Sequence, residues 1–450
     1  MVLVCPASPA VLRPPAASPQ APSAANPGEA EQQVFDRRIE HYAAKCAVAW
    51  AEATAASPGF GATVCLAAKR EREQRADRYL DDTEKRLRHW PASPAKRAVW
   101  REDLLNTSRR MAGDYLPCDT EGLNRLFTTE ALEATRQFVR QARAFAPAIP
   151  DQSLFQALRN LWVTHSVQLL LGTPITLSPA IFAYSMLYPW TDNCLDDLRL
   201  AHAAKIAFGD WLALRLAGAK APPRDLHAGQ VGRLVGLIER FYPRPEFPEV
   251  YLSLRAIHQA QMKSLDQQDA ARTWDEPALL NLSIAKGGTS VLTDAWLVRG
   301  WLTGDEAEFM FAYGVLLQLM DDLQDLPDDL ANGYMTIFTR QSRLGPLDEV
   351  TSRLWAFTGK VLWSFSRFTS APSGSLKSLI QNNLRLLLLQ AVARNQAFYT
   401  ADYVRRLEAS SPVRFGYLAR QEKTLAGRYA QVSASIRQSR KIDSLFEMLA

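Results

Sequence analysis

The stretch LQLMDDLQDLPDD, residues 317–329, places five acidic side chains in thirteen positions, directly after a run apolar enough to be buried. An unpaired buried carboxylate costs several kcal/mol or more, so basic partners, open solvent or metal cations must offset that cost. Around this stretch, apolar residues recur at three- and four-residue spacing almost everywhere after residue 33, and little of the sequence alternates with a period of two. The sequence therefore predicts an all-α fold.

Two helices carry clear start signals. One opens at Ser178, an N-cap that is followed by proline at the first helical position, and its apolar pattern runs on to about residue 212. The other opens at Thr303, which has capping-box spacing to Glu306, and Pro327 is expected to end it. Both helices carry carboxylates inside an otherwise core-like pattern.

The carboxylates of the second helix lie on one face. Steps of three, four and seven positions relate the members of this stripe, which are Gly314, Gln318, Asp321, Asp322 and Asp325. On the first helix, Asp192 and Asp196 are one turn apart and Asp197 is adjacent, directly after the apolar segment YSMLYPW. Two such clusters facing each other would repel strongly unless cations lie between them.

The ligand types favour a hard metal ion and a phosphorylated substrate. Carboxylate oxygen ligands select Mg²⁺, with Mn²⁺ as a tolerable substitute. Mg²⁺ held by a few carboxylates fills its remaining positions with phosphate oxygens, which implies a phosphorylated or diphosphorylated small molecule. Aromatic residues before each cluster suggest an apolar cavity for the rest of the substrate, where ring faces would stabilise a carbocation: Tyr184, Tyr188, Trp190, Phe309, Phe311 and Tyr313.

Composition places the chain among globular proteins. It has 450 residues, 47% of them hydrophobic, and its apolar runs are too short to span a bilayer, so no transmembrane segment is expected. Residues 1–32 are rich in Pro, Ala and Ser and are predicted to be disordered. A helical region at 33–148 and a larger helical body at 149–450 follow, and they can share one core.

Charge and cysteine content limit the partners and the compartment. The net charge of +5 is concentrated between residues 69 and 110, where alternating signs favour a solvated helix face with i,i+4 pairs over a nucleic-acid surface. No nucleic-acid partner is expected. The five cysteines are scattered and form no C-x-x-C pair, so a reducing cytoplasm fits best.

Several motifs together resemble the class I isoprenoid synthase superfamily, which covers trans-prenyl diphosphate synthases and class I terpene cyclases. YGVLLQLMDDLQD (313–325) resembles the second aspartate-rich motif of prenyl synthases, and TDNCLDD (191–197) stands where a variant of the first would lie. AKGGTSVL (285–292) is similar to an element whose lysine contacts diphosphate. HQAQMKSLDQQ (258–268) and NGYMTIF (332–338) are similar to two further elements, with Ser264 replacing an aspartate and Tyr334 a lysine.

This resemblance implies a fold, a cofactor and a set of site residues. The fold would be a bundle of long antiparallel helices around a central cavity, with residues 149–450 as the catalytic domain. The implied catalytic and Mg²⁺-binding residues are Asp192, Asp196, Asp321 and Asp325, with Asp197 and Asp322 assisting. The implied substrate-binding residues are Lys286, Arg199, Gln261, Gln318, Tyr188 and Trp190. Tyr188 lies four positions before Asp192, where a large side chain would shorten the product cavity.

Departures from the family pattern favour one branch. The sequence has no G-G-K-R-x-R-P element and only Arg199 after the first acidic cluster, so a second basic site for isopentenyl diphosphate is not apparent. The leading hypothesis is thus a terpene synthase that ionises a linear prenyl diphosphate. A prenyltransferase remains an alternative, including a condensation like that of squalene or phytoene synthases, because both clusters have D-x-x-x-D spacing. A non-catalytic helical binding protein is the other alternative, and a homodimer is left open.

Overall fold

Helices supply all the regular structure of the described residues, and no strand occurs among them. The structure is a computed structural model that describes residues 27–54, 59–88, 91, 93–115, 124, 128–197, 199–268, 272–364, 374–421, 424 and 427–428. The prediction of an all-α fold is confirmed. Within these same ranges, no helix combines the length and the hydropathy that crossing a lipid bilayer requires.

The helices follow one another in three groups. The first group comprises α1 (Pro27–Ala51), α2 (Leu66–Arg88), α3 (Pro94–Tyr115) and α4 (Thr129–Phe145). The central group comprises α5 (Asp151–Leu170), α6 (Pro179–Asp196), α7 (His202–Leu216), α8 (Leu226–Phe241), α9 (Pro248–Ser264), a 3-10 turn (Leu265–Gln268), α10 (Glu276–Arg299), α11 (Gly304–Gln324) and α12 (Leu326–Asn332). The last group comprises α13 (Ile337–Leu344), α14 (Asp348–Ser364), α15 (Gly374–Arg394), a 3-10 turn (Gln396–Phe398) and α16 (Ala401–Ser410), and residues 415–421 are also helical.

Both predicted helix starts are confirmed. The Ser178 side chain accepts a hydrogen bond from the backbone N–H of Ile181 at 3.1 Å, and Pro179 occupies the first turn of α6. At the start of α11, Thr303 and Glu306 form the full capping box, with each side chain accepting from the other's backbone N–H. These caps fix the direction in which each acidic helix enters the bundle.

The predicted ends of the two helices need correction. Helix α6 stops at Asp196 instead of continuing to about residue 212, because Asp197 has an extended ψ of 106° and its carboxylate accepts the backbone N–H of Arg199 at 2.9 Å. Such a local side-chain bond competes with the helix. Helix α11 stops at Gln324, with Asp325 as its C-cap, and Pro327 lies in the first turn of α12.

The closest approach in the bundle is between α10 and α11. A Cβ on Gly314 would lie 2.1 Å from the backbone oxygen of Gly287, and a Cβ on Gly287 would lie 2.4 Å from the Cβ of Gln318. Real Cβ atoms do not approach other atoms so closely, so these two positions require glycine. The contact brings Ser283 and Lys286 of α10 beside the acidic face of α11.

Helix α1 belongs to the same core as the central bundle. Its Trp50 packs edge-on against Phe357 of α14, its Tyr42 lies 5.8 Å from Phe311 of α11 between ring centroids, and Lys45 pairs with Glu308 at 2.7 Å. Residues 27–32 form the first turns of α1, and residues 1–26 of the segment predicted to be disordered lie outside the described residues. The N-terminal region is therefore continuous with the body through α1.

Helix α2 contacts the C-terminal segment through its charges. The Glu73 carboxylate, with 5% of its side chain exposed, accepts two hydrogen bonds of 3.0 Å from Nε of Arg414, and Arg428 pairs with Asp81 at 2.6 Å. Lys69 is also buried and donates to the backbone oxygen of Glu408. The interpretation of this helix as a solvated face is wrong for Lys69 and Glu73, which are buried. It is confirmed for Arg75 and Glu71, which form an exposed i,i+4 pair at 2.7 Å.

Candidate functional site

A polar pocket of about 360 Å³ lies at the C-terminal ends of α6 and α11. It brings together both acidic clusters, which are far apart in sequence, and residues of α10. Eight of the predicted site residues line it: Tyr188, Asp192, Asp196, Lys286, Gln318, Asp321, Asp322 and Asp325. The arrangement of two acidic helix ends around one pocket matches the geometry that the sequence predicted.

Lys286 links α10 to the acidic cluster of α6. Its Nζ lies 3.7 Å from Oδ1 of Asp192, and one quarter or less of each side chain is exposed. Burial raises the pKa of Asp192 to about 6, against the opposing effect of Lys286. The charge of Asp192 in turn raises the pKa of Lys286, so this lysine stays a cation inside the pocket.

Asp322 is held by two hydrogen bonds from neutral side chains. Ser283 donates its hydroxyl to Oδ2 at 2.7 Å, and the amide of Gln318 donates to Oδ1 at 2.8 Å. Burial raises the pKa of Asp322 to about 6, although these two bonds act in the opposite direction. The contact between α10 and α11 thus fixes this carboxylate, and Gln318 with it, at the pocket wall.

Asp196 is hydrogen-bonded to Tyr334. The hydroxyl of Tyr334 donates to Oδ1 of Asp196 at 2.8 Å, and it accepts a hydrogen bond from the amide of Gln268. Behind them, the buried Lys205 donates to Oε1 of Gln268 at 3.2 Å. A neutral phenol therefore occupies this side of the pocket.

Two titratable residues of the pocket were not predicted from the sequence. Asp329 lies four positions after Asp325, so the same helical spacing extended by one turn would have found it. Burial, followed by the charge of Asp322, raises the pKa of Asp329 to about 8. Arg159 of α5 donates to Oδ1 of Asp321 at 3.0 Å across 162 positions of sequence, and no motif signals that contact.

Four predicted site residues lie away from the pocket lining. Asp197 and Arg199 pair with each other at 2.8 Å, with 90% of the Arg199 side chain exposed, and hydrogen bonds from Arg199 lower the pKa of Asp197 to about 2. The Trp190 ring lies 6.4 Å from the ring of Phe145, against the core. Gln261 is in α9, where its backbone oxygen accepts the hydroxyl of Ser264. Because these four residues do not line the pocket, it does not support their predicted roles in metal or substrate binding.

Most of the aromatic residues predicted to line a tail cavity are buried. Phe309, Phe311, Tyr313 and Tyr184 are buried in the core, and Phe309 stacks on Tyr313 with 5.9 Å between ring centroids. Of the six aromatic residues predicted to line a cavity, Tyr188 is the one that lines the pocket. Aromatic residues at helical spacing are equally typical of a packed core, and the four buried residues pack in this way.

The donors of the pocket fit Mg²⁺ that is shared with a phosphate ligand. The carboxylates are hard oxygen donors, which Mg²⁺ prefers. Among the described residues, however, no three His, Cys, Asp or Glu side chains are grouped closely enough to hold an ion by themselves. Mg²⁺ commonly uses one or two carboxylates together with phosphate oxygens and waters, so a set of separated carboxylates around one pocket suits it.

The charge balance of the pocket makes anion binding depend on cations. Six aspartates line it in the described residues, against the cationic side chains of Lys286 and Arg159. Burial raises the pKa of Asp325 to about 6, and the charge of Asp321 adds to that effect. These carboxylates would repel a diphosphate that arrives without metal ions. Divalent cations between them would attract both the carboxylates and the diphosphate.

Comparison with known proteins gives no family assignment. No protein-family model matches the chain, and no curated protein matches it either.

Proposed function

We propose that this protein is a Mg²⁺-dependent class I terpene synthase, which ionises a linear prenyl diphosphate and cyclises or quenches the carbocation. The observation that carries this proposal is the meeting of two acidic helix ends with Lys286 around one pocket. That arrangement suits a strongly anionic leaving group that arrives with divalent cations.

The pocket residues divide into metal ligands and groups that hold the diphosphate. Asp192 and Asp196 on α6 and Asp321 and Asp325 at the end of α11 would hold Mg²⁺. When bound, Mg²⁺ supplies positive charge that stabilises the departing diphosphate. Lys286 would donate hydrogen bonds to diphosphate oxygens, because it remains charged and lies at the pocket wall.

The small number of cationic side chains in the described pocket lining favours ionisation of one diphosphate over condensation of two. Lys286 and Arg159 are the cationic side chains among the described lining residues, and Tyr334 stands where the prenyl synthase family has a lysine. A chain-elongating enzyme needs a further basic site for a second diphosphate. Two cations and a phenol support one diphosphate substrate, with its tail against Tyr188 and Leu282, the least polar part of the lining.

A turnover assay tests the proposal. Purified protein with Mg²⁺ is incubated with geranyl, farnesyl or geranylgeranyl diphosphate, with and without isopentenyl diphosphate, and released diphosphate and extractable products are measured. Diphosphate release without isopentenyl diphosphate is expected. Product that forms only with isopentenyl diphosphate or a second allylic diphosphate would identify a prenyltransferase, and binding without turnover a non-catalytic binding protein.

Matched substitutions test the metal ligands in the same assay. D321A and D325A are expected to lower the rate at least about 100-fold, because each removes an anionic donor for the stabilising cations. D328A is the control, since Asp328 is 68% exposed, pairs with Arg394 at 3.3 Å and does not line the pocket. Full activity in D321A and D325A would contradict the assignment.

A further inference from the structure

Arg159 and Asp321 form an ion pair inside the pocket, and this pair joins a cation to an expected metal ligand. Nη2 of Arg159 donates to Oδ1 of Asp321 at 3.0 Å, and both side chains line the pocket. The pair is accessible, with 57% of the Arg159 side chain and 37% of the Asp321 side chain exposed. A guanidinium and a divalent ion that both bind the same carboxylate oxygen repel each other, so the two compete for it.

We propose that Arg159 couples metal binding to diphosphate binding: it competes with the metal for Asp321, and it transfers to the diphosphate once metal and diphosphate enter the pocket together. This inference rests on the proposed function and adds a diphosphate-binding residue that the sequence motifs do not contain. Arg159 thereby weakens metal binding in the absence of diphosphate and strengthens the binding of metal and diphosphate together.

The energetics of the pair permit such an exchange. Partly exposed ion pairs contribute little net stability, so the Arg159–Asp321 contact can be released at small cost. Arginine presents five N–H donors in a planar fork that matches phosphate oxygens, and its long side chain can reach a new partner without movement of the helix. Lys286 differs, because it is more buried and pairs with Asp192 on another wall.

The helix that carries Arg159 is fixed beside the first acidic cluster. Gln156, one turn earlier on α5, exchanges two hydrogen bonds with Asn193 of α6, at 3.2 Å and 2.9 Å. Gln156 also lines the pocket. This amide pair holds α5 against α6, so that Arg159 stays in the pocket while its side chain changes partner.

The test measures two affinities in the R159Q variant. Mn²⁺ binding without diphosphate, followed by electron paramagnetic resonance, is expected to become about 2–5-fold tighter, because the competing guanidinium is gone. Binding of inorganic diphosphate in the presence of Mg²⁺, followed by calorimetry, is expected to become about 10–100-fold weaker, because charge-assisted hydrogen bonds are lost. Opposite signs in the two measurements are the signature of the exchange.

R140Q is the matched control, since Arg140 is 54% exposed, pairs with Glu133 at 3.3 Å and lies outside the pocket lining. It should change neither affinity. A fall in both affinities of R159Q, or no change in either, would overturn the inference while the proposed function stands, provided that the wild-type protein binds both probes. Failure of the wild-type protein to bind diphosphate in the presence of Mg²⁺ would overturn both, and thermal melting of each variant verifies folding.

Discussion

At the scale of single residues, Asp294 is the most unusual group in the bundle. It is 1% exposed in α10, where Oδ1 accepts the hydroxyl of Thr164 at 2.8 Å. Oδ2 makes no hydrogen bond within the described part of the chain. Burial raises the pKa of Asp294 from 3.8 to about 8, so the native protein keeps this carboxyl protonated at neutral pH.

This raised pKa predicts a loss of stability with rising pH. Between about pH 4 and pH 8 the unfolded chain has released the Asp294 proton while the folded chain retains it, so the free energy of unfolding falls across that window by up to about 1.4 kcal/mol per pH unit. D294N cannot ionise and keeps an acceptor for Thr164. The melting temperature of D294N relative to that of the wild-type protein should therefore rise from pH 5 to pH 8. A constant difference between the two melting temperatures over this range would contradict the protonated state of Asp294.

Site residues that share a helix could be predicted from the sequence, whereas contacts between different helices could not. Asp192, Asp196, Asp321 and Asp325 share a helix face with another carboxylate, and that spacing is visible in the sequence. Arg159 reaches the pocket from a different helix, so its contact with Asp321 depends on how α5 packs. The same reason hides Asp294 with its partner Thr164, and it hides Gln156 with its partner Asn193.

At the scale of helices, the contact between α10 and α11 controls the pocket wall. G314A would place a methyl group 2.1 Å from the backbone oxygen of Gly287, so the two helices must separate. We expect the free energy of unfolding to fall by about 1–3 kcal/mol, which is typical of overpacking, and Mg²⁺-dependent diphosphate binding to weaken, because Lys286 and Asp322 lie on opposite sides of this contact.

G359A is the matched control for that variant. Gly359 lies inside α14, and a Cβ there would meet no atom within 4 Å. Alanine favours the helix over glycine, so G359A should leave stability unchanged or raise it by up to about 1 kcal/mol. Urea unfolding of both variants measures the comparison, and a G314A variant as stable as G359A would show that the helices adjust without cost.

Helix starts were easier to predict than helix ends. Ser178 and Thr303 act through hydrogen bonds to residues three positions away, so their caps are local and visible in the sequence. The end of α6 depends on the side chain of Asp197 bonding to the backbone of Arg199, which competes with a pattern that could equally continue as helix. For a related reason the sequence could not decide between an aromatic cavity and a packed core, because periodicity marks an inward face and does not distinguish the two.

At the scale of the whole molecule, the N-terminal helices contact both the central helices and the C-terminal segment. Helix α1 packs on α10 and α11, and α2 binds the C-terminal segment through Glu73 and Arg414. The sequence predicted an N-terminal helical region and a soft boundary near residue 148, but its charge pattern alone could not reveal that partners of α2 lie more than 300 positions away. Long-range ion pairs leave no periodic signal.

We propose that the two acidic helix ends bind diphosphate together with Mg²⁺. The most direct measurement is calorimetric titration of inorganic diphosphate into the protein, first in EDTA and then at increasing Mg²⁺ concentration, with D192A beside the wild-type protein. We expect binding that appears only with Mg²⁺ and is lost in D192A. Equal binding in EDTA, or Mg²⁺-dependent binding that D192A leaves intact, would contradict it.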